Sequence, residues 1–438
     1  LPYTILAKDP YPKNPNIDIL NYKFEIHLND TSDIIYGSAD IALNIKDSED
    51  RVRLDLISQG KDGMGMEVKK VTFNGSEVSY SHDNDVLLIE TGALEYSSRD
   101  IINVVYSGMP ITGLIIGPNM HGDRTFFSDN WPNKARNWLP LVDHPYDKST
   151  AEFVVIAPNH YQVISNGLLV EETNLNKELK KTHWKQSVPI SCWLYALGVA
   201  EFAVDYVDYF EGKSIQTWVY KQDRVNGFYD FKIPTKHTME FFSDYIGPFA
   251  YEKLANVQSN SVKGGMESAT AIFYSDVSVT GDRSVRWRNV VIHEVAHQWF
   301  GNCVTEYDWD DVWLSEGFAT YFTLMFREHA YGRDDFVNGL NDGNALSNPG
   351  TMSGGITTTQ VKTGSKAVRL ESSGLRSSTG FATVRGPYLY SNSYVTLGTS
   401  SSVSFEWRAE GGGDAYDVYA YLVDINNPSN KITLLNEH

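Results

Sequence analysis

The sequence predicts a multidomain α+β chain: an antiparallel β domain over residues 1–205, a mixed domain over 206–345, and a β-sandwich-like domain over 346–438. Three observations carry that reading. Up to about residue 205 the apolar residues alternate in short runs with no helical periodicity. From about 206, strand-like segments give way to apolar spacings of three and four. After about Asn341 the stretch LNDGNALSNPGTMSGG, rich in Asn, Gly, Ser and Pro, reads as a linker into a Ser/Thr/Gly-rich tail.

Composition bounds the function. At 438 residues there is room for two or three domains with ample core, and 42 % hydrophobic with 21 % charged residues is the balance of a soluble globular protein. The net charge of −18 argues against nucleic acid as a partner. Residues 346–438 hold seven basic and seven acidic side chains, so the whole excess lies in residues 1–345. Two cysteines, Cys192 and Cys303, are too few for a disulfide framework, and a buried free thiol is the default expectation for Cys303. No apolar run is long enough for a membrane span. The first residues, Leu-Pro-Tyr, suggest a processed or trimmed start, and a secreted, periplasmic or cell-surface location is the expectation.

Taken in order, Tyr22–Leu28 and Ala39–Ile45 alternate, as do Val86–Ile89 and their neighbours, and Asn74-Gly75 and Asn166-Gly167 supply turns. Ser214–Tyr220 is a strand. Thr235–Tyr245 is a helix whose face carries Met239, Phe241, Phe242 and Tyr245. Ser284–Gly301 and Val312–Ala330 are two further helices, the second closed by Gly332. In the tail, Ala367–Leu370, Val403–Trp407 and Val418–Val423 are strand-like, and frequent turns between short strands suggest a sandwich.

The two later helices carry the chemistry. His293-Glu294-x-x-His297 places two imidazoles at i and i+4 on one helix face, close enough to reach a single metal. Glu316, eighteen residues further on in the second helix, can supply a third ligand. Two His and one Glu leave a tetrahedral Zn2+ with one open position, the pattern of a catalytic site. Glu294 lies one residue round the helix, where it can take a proton from a water in that position and hand it to a leaving nitrogen.

These residues resemble the aminopeptidase N family of zinc metallopeptidases, the gluzincins. Trp299-Phe300-Gly301-Asn302 follows the second His. Trp313-Leu314-Ser315-Glu316-Gly317-Phe318-Ala319 is similar to the family's W-L-N-E-G-F-A, with Ser for Asn. Gly264-Gly265-Met266-Glu267-Ser268 resembles G-x-M-E-N. The resemblance implies a saddle-like N-terminal β domain and a thermolysin-like catalytic domain, here only part of one. It implies one Zn2+ on His293, His297 and Glu316, with Glu294 as base. It also implies a substrate edge strand at Gly264, Gly265 and Met266, with Glu267 binding the α-amine. The activity implied is removal of N-terminal residues from peptides with a free N-terminus.

Other positions follow the family unevenly. Ala135–Pro145 resembles A-R-x-x-x-P-x-x-D-x-P, with Arg136 and Asp143 expected to pair and order the loop. Five positions before Arg136, where many members hold the amine with Gln or Glu, stands Trp131, a candidate cation–π wall. The oxyanion Tyr implied about sixty residues beyond Glu316 has no counterpart in Ser377–Phe381, and Tyr388 and Tyr390 read as part of a tail strand. The tail resembles domains of bacterial adhesin-like secreted proteins, with a surface or carbohydrate ligand as its candidate partner. The alternative reading is a catalytically weak, peptidase-derived adhesion protein acting through that tail. Hydrolysis of an epoxide, as in one branch of the family, also stays open.

Overall fold

The computed structural model describes residues 9–46, 49–94 and 97–333, together with the backbone of four C-terminal strands. It divides into two units: residues 1–351 with 373–385, and residues 352–372 with 386–438.

The first unit begins with a β domain in which alternation decides which face is buried. Along Ile17–His27, Tyr22, Phe24 and Ile26 are buried and Lys23 is exposed. Burying each such apolar side chain stabilises by roughly 1.5–3 kcal/mol. This strand pairs antiparallel with Ile35–Ile45 and parallel with Lys148–Pro158 at the centre of an eight-stranded sheet. A four-stranded sheet (Gln162–Ser165, Leu197–Ala200, Arg124–Ser128, Leu114–Pro118) and a three-stranded one (Glu49–Asp55, Val86–Leu94, Tyr80–Asp83) complete the domain.

Asn74 and Gly75 both have positive φ (47° and 84°), the conformation of a two-residue hairpin turn, and they join strands paired Phe73 to Ser76. Asn166-Gly167 works differently. It links strands of two different sheets, and the buried Asn166 amide donates to the carbonyls of Leu194 and Ala269.

A five-stranded sheet follows: β1 (Phe202–Phe210), β2 (Lys213–Tyr220), β3 (Lys253–Ser259), β4 (Gly265–Met266) and β5 (Ala271–Ser275), in the order β1-β2-β3-β5-β4. The β2–β3 and β3–β5 pairs are parallel and the short edge strand β4 is antiparallel to β5. Four helices accompany it: α1 (Arg224–Phe231), α2 (Thr235–Tyr245), α3 (Val285–His297) and α4 (Val312–Tyr331). Helix α1 has no clear apolar period and carries Gly227 inside it. That glycine lets the helix lie against β2, since a Cβ there would sit 2.5 Å from Val219 Cγ1.

Helix α3 stops at His297, four residues before the expected Gly301. The amides of Gln298 and Trp299 bond three residues back, to Val295 and Ala296, and Gly301 then turns the chain with φ of +107°. Helix α4 ends at Gly332 with φ of +95°.

Further along the chain, strands Thr351–Thr357 and Ala367–Ser373 pair, as do Val418–Asp424 and Asn427–Glu437 in antiparallel register. The strand expected at Val403–Trp407, and Tyr388 and Tyr390, lie outside the described residues.

Candidate metal centre

Helix α3 is buried from Asn289 to His297, which presents His293 and His297 from a fixed backbone. Helix α4 is held beside it by aromatic stacking: Phe300, just past α3, lies parallel to Phe322 (centroids 4.9 Å, 4°) and Phe318 (4.9 Å, 18°). The result brings three predicted residues together. His293 Nε2 and His297 Nε2 are 3.0 Å apart, and Glu316 Oε2 lies 3.5 Å and 3.7 Å from them.

The arrangement can be tested against a metal. Nδ1 of His297 faces the Phe300 carbonyl at 3.1 Å, and a carbonyl only accepts, so the ring proton sits on Nδ1. Ser315 Oγ lies 3.2 Å from the same nitrogen. With that nitrogen protonated, Nε2 is the atom through which a neutral His297 can ligate a cation, and it is directed at a second imidazole and a carboxylate that can ligate the same ion. A tetrahedral ion with bonds of about 2.0–2.2 Å separates its ligands by roughly 3.3–3.6 Å, and the observed spacings bracket that range. The donor set fits Zn2+.

Burial and mutual interaction set the electrostatics of the cluster. Burial pushes the Glu294 carboxyl well up, and the nearby Glu267 carboxylate pushes it further. Glu267 is raised for the same first reason, with Glu316 adding and His297 opposing. Burial lowers His293. Burial also pulls on His297, but Glu267, Glu316 and Glu294 together lift it to about 10. For Glu316 burial works upward, and hydrogen bonds to His293 and His297 outweigh it and hold the carboxyl well below its usual range. Three acids and two imidazoles thus share one buried space, and each perturbs the others.

The motif at 264–268 meets this centre from the sheet. Strand β4 carries Gly265 and Met266, and Glu267 follows, 6 % exposed, with a carboxylate oxygen within 4.8 Å of donor atoms of Glu294 and His297. The Gln298 and Asn302 side chains donate to the Glu267 carbonyl at 3.1 Å and 2.7 Å, tying the edge strand to the end of α3. Gly265 lies against Glu294, and a Cβ there would fall about 1 Å short of ordinary contact with that carboxylate. A Cβ on Gly301 would meet His297 Nδ1 at 3.0 Å and also Ser315.

Two family models match the chain: a Peptidase M1 N-terminal domain over residues 19–194 and a Peptidase family M1 domain over residues 229–355. The chain belongs to the M1 peptidase family. Among M1 relatives, glutamyl aminopeptidase of Rattus norvegicus is 32 % identical over 212 residues, covering 46 % of this chain and 22 % of that protein. Tricorn protease-interacting factor F2 of Thermoplasma acidophilum is 26 % identical over 322 residues, covering 71 % of this chain and 38 % of that protein. The M1 zinc metallopeptidase structure from Deinococcus radiodurans superposes with a TM-score of 0.60 at 23 % identity over 72 % of each chain, which shows a shared fold. The match thus spans under a quarter of the length of the rat protein.

Around the centre of this M1 chain, Arg136 Nε donates to Asp143 Oδ2 at 2.8 Å and Nη2 to the Asp143 carbonyl at 3.1 Å, the loop-ordering pair expected. Trp131 is packed edge-to-face against Trp193 (4.9 Å) and Trp309 (4.8 Å). It joins the 130–134 loop to the segment entering α4. Cys303 is free but exposed, contrary to expectation, because it sits on the outer side of the turn at Gly301; Cys192 is free and buried. The segment entering α4 is also held from the N-terminal side, where Lys13 pairs with Asp308, the Asp9 amide donates to Asp310, and His144 bonds Asp9 at 2.6 Å.

Sequence reading passes over Glu306. In the run Glu-Tyr-Asp-Trp-Asp-Asp it looks like one surface acid among several, yet it is 4 % exposed. Its position directly after the turn that closes α3 is the available signal.

Proposed function

We propose that this chain is a zinc-dependent aminopeptidase, with His293, His297 and Glu316 as metal ligands, Glu294 as general base and acid, and Glu267 as anchor of the substrate's α-amine. The single observation that carries the reading is the convergence of His293 Nε2, His297 Nε2 and Glu316 Oε2 within 3.7 Å of one another, with Glu294 and Glu267 alongside. Zinc bound there supplies a Lewis acid that polarises the scissile carbonyl and acidifies a water.

The chain's own residues do the rest. Buried and raised, the Glu294 carboxyl is matched to holding a proton between its removal from water and its delivery to the leaving amine. Gly264, Gly265 and Met266 offer the peptide backbone an unencumbered edge of the sheet. Glu267, at the end of that edge, sets exopeptidase register by pairing with a terminal ammonium.

The division at 205 and 345, a saddle-like first domain, a thermolysin-like second and a sandwich-like tail complete the proposal, with a secreted or cell-surface setting. Among the described residues no helix is long and apolar enough to cross a membrane. The test is hydrolysis of aminoacyl-para-nitroanilides alongside zinc analysis. Bound zinc with turnover that chelation abolishes supports the reading, and zinc-loaded protein that cleaves none of them sinks it.

A further inference from the structure

We infer that Glu306 is a second carboxylate of the ammonium pocket, acting beside Glu267 on the substrate's free α-amine; this rests on the aminopeptidase reading above. Glu306 is 4 % exposed, and apart from its own backbone amide neither carboxylate oxygen has a hydrogen-bond partner among the described residues. A buried, unsatisfied carboxylate is costly, and a native structure keeps one where a ligand completes it.

The turn that carries Glu306 is built rigidly. The Gly301 amide donates to the Val304 carbonyl (2.8 Å), the Val304 amide to Trp299 (3.0 Å), and Thr305 Oγ1 to the carbonyls of Gly301 (2.7 Å) and Asn302 (2.8 Å). Asn302 of the same turn donates to the Glu267 carbonyl, so the two acids are fixed relative to each other.

Glu306 lies within electrostatic reach of the metal centre. Its carboxyl is raised to about 7, mainly by burial, with Glu267 and Glu316 adding and its own backbone amide and His297 opposing. Lys148 is the cation beside it, but its ammonium bonds the carbonyls of Asn302 (3.2 Å) and Cys303 (2.9 Å) and not the acid. The missing partner is therefore a cation brought in from outside.

Its chemistry can be narrowed. Among the described residues no group of three converging metal donors includes Glu306, so a second metal ion is a poor fit. A primary ammonium needs only acceptors on two or three sides, which Glu267 and Glu306 supply from opposite elements, the sheet edge and the α3–α4 connection. Trp131, at the position where the family resemblance places an amine ligand, offers no acceptor and is packed between Trp193 and Trp309.

The experiment compares zinc-loaded full-length wild type with Glu306→Gln and Glu306→Asp. Calorimetric titration with L-alaninamide and with N-acetyl-L-alaninamide reads the pocket without turnover. Wild type should bind the free amine and not the acetylated form. Glu306→Gln should weaken that binding tenfold or more, with Glu306→Asp regaining part of it. For aminoacyl-para-nitroanilides Glu306→Gln should raise KM by a similar factor with kcat within threefold. Zinc content should be unchanged and Tm equal or higher, since an unsatisfied charge has been removed. A loss of L-alaninamide affinity under threefold, or equal binding of the acetylated probe by wild type, overturns the inference. Failure of wild type to hydrolyse any substrate, with Glu306-dependent L-alaninamide binding intact, sinks the peptidase reading and leaves Glu306 as part of an ammonium-binding pocket without a peptidase substrate.

Discussion

Gly265→Ala perturbs Glu294, the proposed base, without touching its chemistry. A Cβ at 265 would sit about 1 Å short of ordinary contact with the Glu294 carboxylate, so either β4 lifts from α3 or Glu294 moves aside. Displacing a catalytic group by about 1 Å can cost on the order of a hundredfold in rate, equivalent to about 2.7 kcal/mol in the barrier. Overpacking adds a destabilisation of about 1–3 kcal/mol. The expected result is kcat down about a hundredfold with zinc still bound, read from chromogenic turnover, atomic absorption and calorimetric Tm. Gly317→Ala is the control: a Cβ there meets nothing within 4 Å, and kcat should hold. If Gly265→Ala kept kcat within threefold of wild type, the packing of strand against base would not be what positions Glu294.

Other outcomes follow from the same geometry. Glu294→Gln should lower kcat by about 10²–10⁴ with metal retained, the usual worth of general acid–base help; equal turnover would remove Glu294 from the mechanism. Glu316→Ala should reduce bound zinc below one per chain after dialysis, and full retention would show that the imidazole pair suffices. Burial raises Asp147 to about 7, with Asp18 adding and the Ile19 amide and Lys46 opposing. Between the unfolded value of 3.8 and about 7 the folded chain therefore holds the extra proton. The stability contributed by this group is present below about pH 4 and is lost as pH rises towards 7. Asp147→Asn should flatten the fall in Tm over that window, and an unchanged Tm–pH curve would refute the assignment.

What sequence revealed and what it hid divide along physical lines. The strands around Tyr22, Ile41 and Val86 were legible because one buried face imposes a period of two. The convergence of His293, His297 and Glu316 was legible because the metal proposed for them would demand particular atoms at fixed helical spacings. Helix α1 was not, since eight residues with a central glycine carry too little periodicity and owe their helix to packing on Val219. Asn166-Gly167 was legible as a turn, but that it links two sheets was not, because the Asn side chain finds backbone partners that only the tertiary fold supplies. The depth of Glu306 was invisible for a related reason. Burial of an acid is decided by what folds over it, and the neighbouring Asp308, Asp310 and Asp311 carry the same label in the sequence.

The contacts from Asp9 and Lys13 to residues 308–310 reach across some three hundred positions to the approach of α4. Seven residues after Trp309 comes Glu316, the proposed third metal ligand, so the segment around Asp9 and Lys13 acts as a distant splint for that acid. A protease nick near Lys13 would slacken the splint and be felt as weaker metal retention, far from any proposed ligand in the linear order.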